Sequence, residues 1–100
     1  SNVVYFHPEG TNRQAYVDNL STFLRDGHES FDILALSAGF DRHEQDWGGL
    51  LKTQDYQAIG MMAKEVKDSK CNGRIFAVLE GGYNHSVLGK NVRALLEGMM

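Results

Sequence analysis

Apolar positions along the chain alternate between helical spacing and short continuous runs. Val3 to Phe6 is a brief β-prone run closed by Pro8 and Gly10. Thr11, with Gln14 three residues on, has the form of a capping box and predicts a helix start. Tyr16, Leu20, Phe23 and Leu24 then recur at helical spacing, and Gly27 is a natural stop. The run Ile33-Leu34-Ala35-Leu36, between Asp32 and Ser37, is too short for a helix. It is also too uniformly apolar for a strand wet on one face, so it predicts a central parallel strand. Residues 38 to 52, with three glycines among polar groups, read as a loop of functional length.

Thr53 is positioned to cap a second helix with Tyr56, Ile59, Ala63 and Val66 as its inner stripe. Asn72-Gly73 turns the chain into a second buried run, Ile75-Phe76-Ala77-Val78-Leu79. A Gly81-Gly82-Tyr83-Asn84 loop follows, and Leu88, Val92, Leu95, Leu96 and Met99 mark the inner face of a last helix. Strands alternating with amphipathic helices predict an α/β fold with a parallel sheet and right-handed crossovers. Parallel strands run the same way, so residues 38–41 and 81–84 should emerge at one sheet edge. Open α/β sheets place their ligands at that edge.

Composition narrows the function without naming it. The 42% apolar and 23% charged residues are those of an ordinary globular chain. A formal net charge of -3 gives no electrostatic case for nucleic acid or an acidic membrane surface. Lys64, Lys67 and Lys70 share a helical face, but Glu65 and Asp68 interleave with them, which favours a solvated surface. The single cysteine, Cys71, excludes an internal disulfide, reads as a partly buried thiol before a turn, and suits the cytoplasm. No apolar run is long enough to span a bilayer.

The chemistry-bearing residues sit in the two loops. Asp41 offers a hard anionic oxygen for a divalent metal, or for orienting a histidine. Tyr83 offers a hydroxyl donor for a developing oxyanion, and Gly81 and Gly82 allow backbone to approach a ligand and adopt unusual dihedrals. Singly, each has a plainer reading: a solvated aspartate or helix cap, a packed tyrosine, a glycine turn. The Gly81-Gly82 turn lacks the further glycine of a dinucleotide fingerprint and the lysine of a P-loop, which sets nucleotide binding aside.

Ser37-Ala38-Gly39-Phe40-Asp41-Arg42-His43, then Asp46 and Gly48-Gly49-Leu50, then Leu79-Glu80-Gly81-Gly82-Tyr83-Asn84, resemble the C-terminal part of the histone deacetylase superfamily. That group includes acetylpolyamine amidohydrolases and acetoin-utilisation proteins. The resemblance runs from about Tyr16 through the closing Val92–Gly98 helix. It implies a three-layer, arginase-like α/β domain with a mainly parallel sheet, of which residues 1–100 would be a partial domain, the C-terminal portion. It also implies a zinc-dependent amidohydrolase acting on acetyl-lysine or acetylated amines. Asp41 then matches a zinc ligand and Tyr83 the residue that hydrogen-bonds the substrate carbonyl and oxyanion. Gly81 and Gly82 match the substrate side of the channel, and Trp47 falls near its rim.

The chain departs from that pattern in what it lacks. The family's other two zinc ligands come from an Asp-x-His motif, and its acid/base pair is two adjacent histidines; neither occurs here. His7, His28, His43 and His85 are scattered, the first two read as surface residues and His85 as first-turn helix. His43, close to Asp41, offers at most a two-residue metal site. The expectation is a deacetylase segment that does not retain zinc or act alone, with a non-catalytic α/β binding or assembly module as the alternative. Under either, bare strand edges favour self-association or pairing with the missing N-terminal portion.

Overall fold

The computed structural model describes residues 6–7, 12–26 and 30–100. Helix α1 (Arg13–Arg25) leads to strand β1 (Leu34–Gly39), a 3₁₀ turn (Phe40–Arg42) and helix α2 (Thr53–Lys70). Strand β2 (Ile75–Glu80) and helix α3 (His85–Met99) complete the order. The β-prone run at Val3 lies outside the described residues apart from Phe6, whose ring stacks on Phe23 with centroids 4.2 Å apart. Thr11, Gly27 and His28 also lie outside them.

β1 and β2 pair in parallel, in register from Leu34 opposite Ile75 to Gly39 opposite Glu80. Both apolar runs are therefore strands, as their patterns require. Their burial differs from expectation. Leu34 and Ala38 pack into the core, but Ala35 and Ser37, on the opposite face of the pleat, are exposed. β2 is more open still, with Phe76, Val78 and Leu79 each about half exposed, at 48%, 47% and 57%. Among the described residues the sheet has two strands. The uniformly apolar runs suit a sheet covered on both faces. Here the helices cover one face of β1, while β2 is open on both, with Phe76 and Val78 exposed on one face and Ala77 and Leu79 on the other.

Both predicted caps move by one residue. Asn12 caps α1 by accepting the Ala15 N–H at 2.9 Å, while Gln14 bonds Asp18 instead. Helix α2 starts from Lys52, whose N–H donates to the Asp55 carboxylate at 2.8 Å. The Asp55 N–H returns to the Lys52 carbonyl at 2.9 Å. Arg13 reaches across from α1 and grips Asp55 with two bonds, Nε at 2.8 Å and Nη2 at 2.9 Å. Asp55 thus terminates one helix and ties it to another, a bidentate pair on a mostly buried carboxylate. Burial alone would raise its pKa, yet the Arg13 and Lys52 donors hold it below the usual carboxylate value.

The core forms two connected clusters. One gathers Phe40, Leu51, Tyr56, Ala94 and Leu95, and the other Leu24, Met62 and Val66, with Val17 and Ile59 packed against both. Of the predicted inner stripe of α2, Tyr56, Ala63 and Val66 are buried and Ile59 partly so. In α3, Leu95 is buried and Leu88, Val92 and Met99 pack alongside, but Leu96 is exposed; Val87, Asn91, Ala94 and Gly98 complete the inner face. That face is built of small residues because α2 and α3 meet backbone to backbone. A Cβ on Gly60 would fall 2.3 Å from the Leu95 carbonyl oxygen, and one on Gly98 would fall 2.2 Å from that of Gln57.

Two lysines of the helical face are taken up in hydrogen bonds, and Lys64 stays exposed. Lys70 donates to the Leu24 and Arg25 carbonyls at 3.3 and 2.8 Å, closing the C-terminal end of α1, and Lys67 pairs with Asp68. Cys71 is buried more fully than expected, with its thiol on the Arg74 carbonyl at 3.2 Å. The turn after it uses Asn72 and Gly73 at φ 56° and 78°, the left-handed region their residue types favour.

Two predictions follow from the packing. Gly60→Ala should destabilise the chain by about 1–3 kcal/mol, because backbone rather than a flexible side chain must give way. Thermal denaturation should show it as a lowered Tm, against Gly89→Ala, where a Cβ in exposed helix meets open space and Tm should hold or rise. The depressed pKa of Asp55 gives stability that is fully present above the unfolded value of about 4 and lost as pH falls through the folded value. Urea titrations across that window should show a shallower acid loss in Asp55→Asn than in the parent, on a lower neutral-pH baseline.

Candidate functional site

The parallel register brings both loops to one sheet edge. Gly39 and Glu80 are the last paired residues, so Asp41 and Tyr83 each follow within a few residues of the same pair. Asp41 lies in the 3₁₀ turn, half-buried, with its carboxylate against the glycines of both strand ends. A Cβ on Gly81 would stand 2.8 Å from the Asp41 Cγ, and one on Gly39 would stand 3.3 Å from its Oδ1. Gly81 and Gly82 hold φ of 71° and 106°, conformations that L side chains rarely adopt. The paired glycines thus do two things: they turn the chain and leave room for a carboxylate.

Helix α2 fixes the strand end from behind. The buried Tyr56 hydroxyl donates to the Gly39 carbonyl at 3.0 Å, and its ring stacks on Phe40 with centroids 5.1 Å apart. Burial pushes the Tyr56 phenol well above its ordinary pKa, so it stays a neutral donor. Phe40 is itself buried, which points the turn inward on one side of Asp41.

Beyond the turn the chain makes a closed loop. Leu50 and Leu51 donate to the Arg42 carbonyl at 3.0 and 2.7 Å, and Glu44 donates to that of Leu51 at 2.6 Å. Gly48 lies so close over Asp41 and Arg42 that a Cβ would meet the Arg42 Cα at 2.6 Å, and its N–H donates to the Asp41 carbonyl. This base pulls His43 and Leu51 inward; they are 2% and 1% exposed.

His43 is a buried link, and both its ring nitrogens are engaged. Nδ1 accepts the Gln45 N–H at 3.2 Å, which leaves the proton on Nε2, 3.3 Å from the Thr53 hydroxyl. Thr53 in turn donates to Asn91 Oδ1 at 2.7 Å, joining the loop to α2 and α3. Burial lowers the His43 pKa and keeps the ring neutral. The two-residue metal site with Asp41 therefore does not form. Thr53, expected as a helix cap, spends its hydroxyl on this chain instead. His7 is exposed, beside Arg42, and His85 opens α3 on the surface, as their spacing implied.

The second loop is held by residues that sequence patterns did not assign a role. Asp46 Oδ2 accepts the N–H groups of Tyr83 and Asn84 at 2.9 and 2.8 Å, and its Oδ1 accepts that of Trp47 at 2.7 Å. Burial raises the Asp46 pKa, but the donors from Asn84, Trp47 and Tyr83 outweigh it and the net shift is downward. Asn84 donates its Nδ2 to the Gln45 carbonyl at 2.6 Å and uses its Oδ1 to cap α3 at Ser86. Trp47 is 85% exposed and stands against Tyr83, ring centroids 5.0 Å apart. Tyr83 is itself 58% exposed, so its phenol is open to a ligand.

A hydrolytic zinc site needs three protein ligands and an open position. Among the described residues no group of three or more His, Cys, Asp or Glu side chains could hold a metal ion. Asp41 is a single carboxylate with glycine backbone around it, and this donor set by itself does not fit zinc. No helix among the described residues is long and apolar enough to cross a membrane.

Comparison with known proteins identifies the family. The family model "Histone deacetylase domain" matches residues 1–99. The chain is 51% identical to Type-2 histone deacetylase 2 of Dictyostelium discoideum over 53 residues, covering 51% of this chain and 3% of that protein. It is 38% identical to the chloroplastic Histone deacetylase 14 of Arabidopsis thaliana over 71 residues, covering 65% of this chain and 17% of that protein. The chain thus spans only a small part of the length of these relatives. A family match over nearly every residue, on a parallel sheet that brings the Gly-Phe-Asp and Gly-Gly-Tyr segments together, means that the chain belongs to the histone deacetylase domain family.

Proposed function

We propose that residues 1–100 are the C-terminal portion of an amide-hydrolysing deacetylase site, a partial domain contributing Asp41, Gly81, Gly82 and Tyr83. The substrate class is an acetylated amine, acetyl-lysine among them. The observation that carries this reading is the exposed Tyr83 phenol on a glycine hinge, at the same sheet edge as the Asp41 carboxylate. A hydroxyl donor presented this way stabilises the negative charge that builds on a carbonyl oxygen under attack. Exposed Trp47 beside it adds an apolar wall for the methylene stem of an acyl-lysine.

Asp41 is proposed as one ligand of a catalytic zinc whose remaining ligands, with the acid/base histidines, belong to other parts of a longer enzyme. This chain is then not active alone. The bare strand surface fits the same reading: Phe76, Val78 and Leu79 expose apolar area that further elements of such a domain would cover. With the sheet uncovered, self-association of the chain is the expected substitute. The lone buried Cys71 thiol favours a reducing compartment, for which we propose the cytoplasm.

A non-catalytic binding or assembly module is the second reading, favoured by the same exposed strand surface. Activity separates the two. In an active deacetylase containing this segment, Tyr83→Phe should lower kcat by about 10²–10³ with little change in KM, the usual scale for losing one oxyanion donor. Near-normal turnover would remove Tyr83 from the chemistry. Native mass spectrometry of the chain alone, after dialysis, should show oligomers without zinc. Stoichiometric zinc would mean that Asp41 recruits ligands from a second copy, and the chain would then need assay as an enzyme in its own right.

A further inference from the structure

We infer that Asp46 is a positioning residue for Tyr83, holding the phenol in its working place from the opposite loop. The inference rests on the reading of Tyr83 as the oxyanion donor and adds the element that orients it. Tyr83 follows two glycines at positive φ, and glycine is the residue whose backbone is least confined by its own sterics. Core packing does not supply the missing restraint, because the side chain is more than half exposed. What restrains the segment is one carboxylate oxygen that receives two consecutive N–H groups, of Tyr83 at 2.9 Å and Asn84 at 2.8 Å.

These bonds are charge-assisted, so they are stronger than the neutral pairs they replace. Asp46 is itself fixed from three directions. Its other oxygen takes the Trp47 N–H at 2.7 Å, its N–H donates to the His43 carbonyl at 2.9 Å, and its carbonyl accepts the Gly49 N–H at 3.2 Å. His43 is anchored through Thr53 to Asn91 on α3. A continuous path of hydrogen bonds therefore runs from the helical layer through the Asp41 loop to the Tyr83 backbone. Asn84 closes it from the other side, donating to the Gln45 carbonyl at 2.6 Å. A displacement of about 1 Å in a reacting group can cost on the order of 10² in rate, so a clamp of this kind acts on kcat.

The test has a structural arm and a kinetic arm. On this chain, amide hydrogen exchange at Tyr83 and Asn84 should be protected, and Asp46→Ala should release both. Trp47 is the sole tryptophan, so its fluorescence should change in the same variant. Asp46→Asn keeps one acceptor oxygen and should restore much of the protection, with circular dichroism confirming that both variants fold. In an active deacetylase containing this segment, Asp46→Ala should lower kcat by about 10- to 10²-fold with KM nearly unchanged, and Asp46→Asn should recover most of it. In a Tyr83→Phe background the same change should cost little more, since the group it positions is already gone.

Unprotected Tyr83 and Asn84 amides in the parent chain would overturn the clamp, whatever the enzyme does. Intact protection that Asp46→Ala removes without loss of kcat would overturn the positioning role. An equal loss in the Tyr83→Phe background would also overturn it, showing that Asp46 acts elsewhere. The role of Tyr83 itself stands or falls separately, on the single Tyr83→Phe variant.

Discussion

Everything at the candidate site depends on the parallel pairing of β1 with β2 in a single register. Leu34 opposite Ile75 sets the alignment, and it ends with Gly39 opposite Glu80. A slip of one residue would turn every side chain of one strand to the other face and carry the glycine hinge past the carboxylate it accommodates. The register is enforced from one side only. Leu34 and Ala38 dock on the helical layer, Tyr56 holds the Gly39 carbonyl, and the exposed face contributes nothing to it.

The helical layer does its work through close contact rather than bulk. Gly60 and Gly98 let α2 and α3 touch backbone to backbone, and that proximity puts Thr53 at the start of α2 beside Asn91 on α3. His43 completes the link into the loop. The polar chain is buried, and Asn91 Nδ2 has no hydrogen-bond partner among the described residues, so the cost of burying the Asn91 amide is only partly offset. Its value lies in fixing one geometry for the loop that carries Asp41 and Asp46, since buried polar groups are satisfied in few arrangements.

How much of this was legible in the sequence differs by the kind of signal. The three helical stripes were readable because burial repeats with the period of the helix, and Ile75–Leu79 because a short continuous apolar run between turn signals suits a strand. Asp41 and Tyr83 were readable because motif residues stand at strand ends. The caps were misread by one residue because several polar residues at each boundary offer an oxygen, and backbone dihedrals choose among them; Asn12 caps α1, and Asp55 receives the Lys52 amide. His43 was weighed as a metal partner because it lies close to Asp41 in sequence, whereas a loop closed on Leu51 carries it inside. Asp46 was seen only as part of a motif. Its partners are main-chain amides, which leave no trace in residue type. Strand exposure was the largest miss, since a sequence records the environment its strands suit and not what surrounds them.

The bond from Asp46 to the Tyr83 amide spans 37 residues and encloses all of α2 and β2. Its kinetic meaning is that the site cannot assemble locally. Helices α2 and α3 can grow from near-neighbour contacts, but the Asp41 and Tyr83 loops reach one sheet edge only after the intervening helix has docked and the second strand has returned. Closing so long a stretch is entropically expensive before any non-local contact rewards it. The contact between the two loops is therefore a late event on the folding path, made only when the architecture around it is nearly finished.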